Sequence, residues 1–187
     1  MDIVDLHRRA LRQFGALVDA TAPASLDSPT PCAEWDVRQL LRHVIGGNVR
    51  WAESAEGRPF DMSGSADDDV ADDALRGRYH ETADMVDTAW RQPGRLERGF
   101  PSPMGETTGR DRVWQHVVEV VVHGCDLARA TNQRPGFDDD VVAAAAEFAH
   151  RNMPEQRPEG FPFAAALEVT DDAPAIDRLA AFMGRPA

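Results

Sequence analysis

The chain has 187 residues, 42% of them hydrophobic, which suits one domain with a single buried core. Its 32 acidic and 20 basic residues give a net charge of −12, which disfavours nucleic acid and anionic membranes as partners because their phosphates would be repelled. Every basic residue is an arginine, so mechanisms that need a lysine, such as Schiff-base chemistry, are excluded.

The two cysteines, Cys32 and Cys125, are far apart in sequence and form no CxxC motif. The sequence therefore predicts two free thiols in a reducing compartment, with Cys125 in a packing role. The acidic N-terminus lacks the features of a signal peptide, and no apolar run is long enough to span a bilayer. We therefore expect a cytoplasmic protein.

Hydrophobic periodicity and helix-boundary residues predict a mostly helical chain. Asp36 is a candidate N-cap, with Gln39 as its capping-box partner. Residues 92–109 are rich in Pro and Gly and are predicted to form a loop, and residues 163–169 are compatible with an extended segment. The predicted helices cover, in chain order, residues 2–20, 36–56, 70–91, 110–131, 138–152 and 173–183.

Four long helices predict an all-α fold, a four-helix bundle with additional short C-terminal elements. We find no internal repeat and no long low-complexity linker. The expected organisation is therefore one domain over residues 1–187, with a C-terminal extension at about 155–187.

The fourth predicted helix carries a narrow polar stripe on an otherwise apolar surface. At about 100° per residue, Arg112, His116, Glu119, His123 and Asp126 fall within a sector of about 80°. The stripe either faces water, with Glu119 and His123 as an ordinary helix-surface pair, or lines a polar cavity between helices. The pattern alone does not choose between these two interpretations.

Glu119 and His123 are one helical turn apart, so both side chains project to the same side and can bind one ion. A metal site needs a third ligand. His43 is a candidate because it lies in a predicted helix, at the margin of an apolar face. A histidine in such a position can equally be a core or partly exposed side chain.

Other residues of this helix and its neighbours have alternative interpretations. His116 can be a fourth polar contact or a general base, or it can support the ligands from behind or be solvated. Asp126 can orient a ligand histidine or bond Arg129. Arg112 can bind an anionic substrate or lie at the surface, and Trp51 is interpreted as a core residue.

The sequence resembles the DinB/YfiT-like superfamily. Within it, the chain is most similar to the branch that contains the metal-binding domain of mycothiol-dependent maleylpyruvate isomerase and many uncharacterised actinobacterial proteins. The resemblance covers nearly the whole chain. It is carried by PTPCAEWDVRQLLRHV (29–44), EVVVHGCDLARA (119–130), FAAALEV (163–169) and DDAPAIDRLAAFMGR (171–185).

The resemblance implies a DinB-like four-helix bundle with a central divalent metal held by His43, Glu119 and His123, so that the polar stripe faces inward. Zinc is the expected ion, with nickel, iron or manganese as alternatives for two imidazoles and a carboxylate. Open positions on the metal would hold water or a substrate thiolate, and mycothiol is the candidate co-substrate.

The implied function is a metal-dependent enzyme that acts on a small molecule with a low-molecular-weight thiol, as a transferase, isomerase or hydrolase. The alternative is a non-catalytic metal- or small-molecule-binding protein of a stress response. The chain ends soon after its predicted bundle, whereas the isomerase has a further C-terminal domain, so we do not expect that particular isomerisation. The expected partners are a small-molecule substrate or thiol, with no nucleic acid and no membrane, and a homodimer is one option for assembly.

Overall fold

The structure is a computed structural model that describes residues 2–33, 35–59, 69–102, 105–154, 156–157 and 163–186. Its helices are α1 (Ile3–Ala20), α2 (Val37–Ala55), α3 (Leu75–Trp90), α4 (Gly109–Ala130), α5 (Asp139–Asn152) and α6 (Ala175–Phe182). Helices α1 and α2 each pack against both α3 and α4, which closes a four-helix bundle. Helix α5 packs on α4, and α6 packs on α5 and α4. The predicted all-α bundle with short C-terminal elements is therefore confirmed.

None of the helices in the described part of the chain combines the length and the apolar composition that a membrane crossing needs.

Two capping boxes fix where the helices of the candidate site begin. The predicted pair is confirmed: the Asp36 side chain accepts from the Gln39 backbone N–H at 2.8 Å, and the Gln39 side chain accepts from the Asp36 N–H at 2.9 Å. Thr108 and Asp111 form an equivalent box at the start of α4. Each box satisfies N–H groups that the first helical turn leaves free, so the register of α2 and α4 is set locally.

Helix α4 is buried on nearly all sides, and its polar stripe faces the bundle interior. The valines from Val117 to Val122 are at most 1% exposed. On the stripe, His116, His123 and Asp126 are at most 4% exposed. The interpretation in which the stripe faces water is therefore wrong, because neighbouring helices cover that side of α4 as well.

The structure corrects two sequence predictions. Residues 92–109 were predicted as a loop, but Gly99–Ser102 (β1) and Gly105–Thr108 (β2) form an antiparallel hairpin. Strands of four residues are too short to show an alternating pattern, and Phe100 anchors the hairpin by packing edge to face on Trp90. Helix α3 begins at Leu75, later than predicted, since residues 72–74 form turns. The described residues 163–169 contain no strand.

Gly109→Ala is expected to lower the free energy of unfolding, because a Cβ there would lie 2.0 Å from the backbone oxygen of Arg95. Forcing atoms into a packed region typically costs about 1–3 kcal/mol. Gly77→Ala, on an exposed turn of α3 with open space around it, is the control and should gain up to about 1 kcal/mol from helix propensity. Urea unfolding measures both variants, and equal stabilities would contradict the close approach at Gly109.

Candidate metal centre

The three predicted ligands stand around one small cavity between α2 and α4. His43 comes from α2, and Glu119 and His123 come from α4. The rings of His43 and His123 meet edge to face, with 5.1 Å between their centroids. The cavity has a volume of about 10 Å³, roughly the room that one water molecule needs. Its walls are formed by His43, Val44, Gly47, His116, Glu119, Val120 and His123.

A tryptophan from the facing helix positions the Glu119 carboxylate. The indole N–H of Trp51 on α2 donates to Oε2 of Glu119 at 2.9 Å. Burial raises the pKa of Glu119, and the Trp51 hydrogen bond and the neighbouring His123 and Arg50 oppose that shift. Trp51 is a core residue, as interpreted from the sequence, but it also holds a candidate ligand, which helical periodicity could not indicate.

A buried carboxylate holds the other α4 candidate from behind. Oδ2 of Asp126 lies 3.3 Å from Nδ1 of His123 and accepts from Nε of Arg185 at 3.1 Å. With Nδ1 facing Asp126, Nε2 is the nitrogen of His123 that is free to ligate, as in many histidine-containing metal sites. Arg129, the other partner considered for Asp126, donates to Asp177 at 2.6 Å instead.

Arg185 reaches the site from the end of the chain. Gly184, which follows α6, has a φ of 76°, and a Cβ there would lie 2.7 Å from the Cβ of Ala164. Glycine permits this left-handed turn and close approach, and the turn directs Arg185 back into the interior. Its Nη2 lies 3.6 Å from Sγ of Cys32. The C-terminal elements therefore contribute to the site. Arg185 and Asp126 are 59 residues apart in sequence, so a local sequence pattern could not predict their contact.

His43 is kept neutral by its surroundings. Its ring packs on Trp35, with centroids 4.1 Å apart. Burial lowers the pKa of His43 to about 3, and the charges of His123, Arg50 and Arg185 act in the same direction. A neutral imidazole has the free lone pair that a metal ligand needs.

His116 contacts a histidine that the sequence analysis did not single out. Its Nδ1 lies 2.9 Å from Nε2 of His7 on α1, and both residues are buried. His116 also stacks on Trp51, with ring centroids 5.4 Å apart. The one available signal was the position of His7 on the apolar face of α1, between Leu6 and Ala10.

Arg112 and Cys125 are buried in the interior, where they make contacts that support the fold. Arg112 is 6% exposed, which rules out the surface role, and it donates to Oγ of Ser54 at 3.0 Å and to the carbonyl oxygen of Pro101 at 2.8 Å. Cys125 is buried, as expected for packing, and burial raises the pKa of its thiol to about 11. Neither cysteine forms a disulfide bond.

The donor set at the cavity fits a divalent cation. Two imidazoles and one carboxylate with an open position are a combination that catalytic zinc sites use. The partly buried Glu119 carboxylate, whose pKa is raised, is a group that a bound cation would stabilise. Across the described residues, however, the side chains as they stand do not gather three or more of His, Cys, Asp and Glu closely enough to hold a metal ion.

Comparison with known proteins gives three findings. The family model described as "Mycothiol maleylpyruvate isomerase N-terminal domain" matches residues 7–128, a span that contains all three candidate ligands. "Uncharacterized protein Rv0738" and "Uncharacterized protein MT0763", from two strains of Mycobacterium tuberculosis, are each 32% identical over 189 residues, which covers 99% of this chain and 98% of theirs. The crystal structure of the mycothiol-dependent maleylpyruvate isomerase superposes with a TM-score of 0.63 at 18% identity, covering 79% of this chain and 69% of that chain, and so shows a shared fold.

Proposed function

Because this chain belongs to the family of the mycothiol maleylpyruvate isomerase N-terminal domain, we propose that it is a metal-dependent enzyme that activates a low-molecular-weight thiol for reaction with a small molecule. The observation that carries the proposal is that His43, Glu119 and His123 line one small cavity. Zinc is the proposed ion, and nickel, iron and manganese accept the same donors. Mycothiol is the proposed thiol, from the name of the family.

Each residue of the site has a stated part in this proposal. A bound metal would lower the pKa of the thiol, so that the nucleophilic thiolate exists at neutral pH. His43 offers a neutral imidazole, and Glu119 offers a carboxylate that the Trp51 N–H orients. Asp126 holds His123 in one tautomer and ring orientation. Metal binding requires the ligating atoms of the three side chains to close on one point.

The reaction class is a thiol-dependent transfer, isomerisation or hydrolysis, and a turnover experiment tests it. Zinc-reconstituted protein is mixed with mycothiol, cysteine or coenzyme A and an electrophile such as maleylpyruvate or chlorodinitrobenzene. We expect turnover with at least one thiol, reduced by about 100-fold or more in Glu119→Gln, because metal stabilisation of charge contributes several kcal/mol. Unchanged turnover in that variant would contradict the metal-dependent mechanism.

The second candidate is a binding protein without turnover, and the size of the cavity favours it. About 10 Å³ is room for one ion or one water-sized group, which is enough for metal binding without a substrate. If the protein binds metal and thiol but neither consumes the thiol nor converts any acceptor, the non-catalytic function is supported and the enzyme proposal fails.

A further inference from the structure

A buried histidine pair lies directly behind the cavity. His7 is 0% exposed and His116 is 2% exposed, and their facing nitrogens, Nε2 of His7 and Nδ1 of His116, are 2.9 Å apart. His116 belongs to the cavity wall together with Glu119 and His123. The pair therefore connects α1, which contributes no candidate ligand, to the candidate metal centre.

The protons of this histidine pair can be placed in two ways. Burial lowers the pKa of both rings, so both are neutral at physiological pH. A hydrogen bond between two neutral imidazoles uses one proton, carried either by Nε2 of His7 or by Nδ1 of His116. In the first arrangement His116 has its N–H on Nε2 and is a donor. In the second, Nε2 of His116 is a bare lone pair and could serve as a fourth metal ligand.

The surroundings of His7 favour the first arrangement. Nδ1 of His7 is buried and has no hydrogen-bond partner among the described residues. In the first arrangement Nδ1 of His7 is an acceptor that receives no hydrogen bond. In the second arrangement it carries an N–H that has no acceptor. Buried N–H groups without a partner are rarer in proteins than acceptors without one, because the stranded donor loses its full interaction with water.

The surroundings of His116 favour the same arrangement. Its ring and the Glu119 side chain line the same small cavity, where charges are weakly screened. In that cavity the Glu119 carboxylate would repel a bare lone pair on the His116 ring and attract an N–H.

We propose that His7 is a positioning residue that fixes His116 as the Nε2–H tautomer, so that His116 donates a hydrogen bond to an anionic oxygen or sulfur atom held at the metal centre. His116 is then a recognition group for hydroxide or thiolate and not a fourth ligand. The identity of the recognised atom rests on the proposed function, whereas the tautomer does not.

Long-range ¹H–¹⁵N correlation spectra of the full chain test the tautomer directly, with His116→Gln used to assign the signals. In both metal-free and zinc-treated protein at neutral pH, Nδ1 of His116 should show a pyridine-type shift and Nε2 a pyrrole-type shift. The opposite pattern in the metal-free protein, or movement of Nε2 to a ligand-type shift on adding zinc, would overturn the proposal. Failure of the wild type to bind zinc would refute the proposed function. The tautomer of His116 could still be measured in the metal-free protein, so the two failures are distinguishable.

Two variants of His7 test its positioning role. Gln can donate its N–H₂ to Nδ1 of His116 or turn its carbonyl oxygen to accept from that atom, so His7→Gln permits either tautomer, whereas His7→Phe removes the donor and should give a mixture. Zinc affinity in His7→Phe should fall by less than the roughly 10- to 100-fold that losing support for a true ligand causes. An unchanged single tautomer in His7→Phe would show that His7 does not fix His116. If His7→Phe does not fold, the wild-type spectra decide between the two arrangements.

Discussion

Replacing Arg185 with alanine is expected to lower the free energy of unfolding of the metal-free protein by about 3–5 kcal/mol, because it leaves a buried carboxylate without its cationic partner. The Arg185 and Asp126 side chains are 8% and 0% exposed, and the ion pair between them spans 3.1 Å. Removing one member of such a pair strands the other charge away from water. Urea denaturation at neutral pH measures the loss.

The control for this prediction is a surface ion pair. Arg151 and Glu147 on α5 have side chains that are 67% and 70% exposed, so Arg151→Ala should cost no more than about 0.5 kcal/mol. A double variant, Asp126→Leu with Arg185→Met, removes both charges and should recover most of the stability. A loss below about 1 kcal/mol in Arg185→Ala would show that Asp126 does not depend on Arg185.

Substituting Glu119 with glutamine is expected to weaken zinc binding by more than about 100-fold, which exceeds the range typical of changes behind a ligand. The amide keeps the size of the side chain and removes the negative charge that attracts the cation. Trp51→Phe, which keeps an aromatic ring but removes the indole donor to Glu119, should weaken binding by about 10- to 100-fold. Competition with a chromophoric chelator measures both affinities.

The matched control is Glu81→Gln on the exposed face of α3, where the carboxylate pairs only weakly with Arg78 at 3.4 Å. Its zinc affinity should equal that of the wild type. If Glu119→Gln bound zinc as tightly as Glu81→Gln does, Glu119 would not be a ligand.

Much of the fold could be predicted from the sequence because the signals that determine it are local. The capping box of Asp36 and Gln39 and the periodic apolar positions act over one or two helical turns, and the structure agrees with both. The polar stripe on α4 was also visible, but its direction was not. Whether a stripe faces water or the interior depends on which helices pack over it, and that is a property of the whole bundle.

The supporting residues of the site could not be predicted because they come from distant parts of the chain. Arg185 lies 59 residues from Asp126, and His7 lies 109 residues from His116. In the sequence alone, neither Arg185 nor His7 differs from an ordinary side chain of the segment that contains it. Even His43 was brought to the α4 pair by resemblance to a family and not by spacing, since its approach to His123 requires α2 and α4 to pack against each other.

The central claim is that His43, Glu119 and His123 together hold one divalent ion. Its most direct test is the zinc content of untagged protein after reconstitution and gel filtration, measured by mass spectrometry for the wild type and for alanine variants of the three residues. We expect one zinc per wild-type chain and a clear loss in each variant, all of which remain folded. A wild type without stoichiometric metal, or three variants that retain it, would contradict the account.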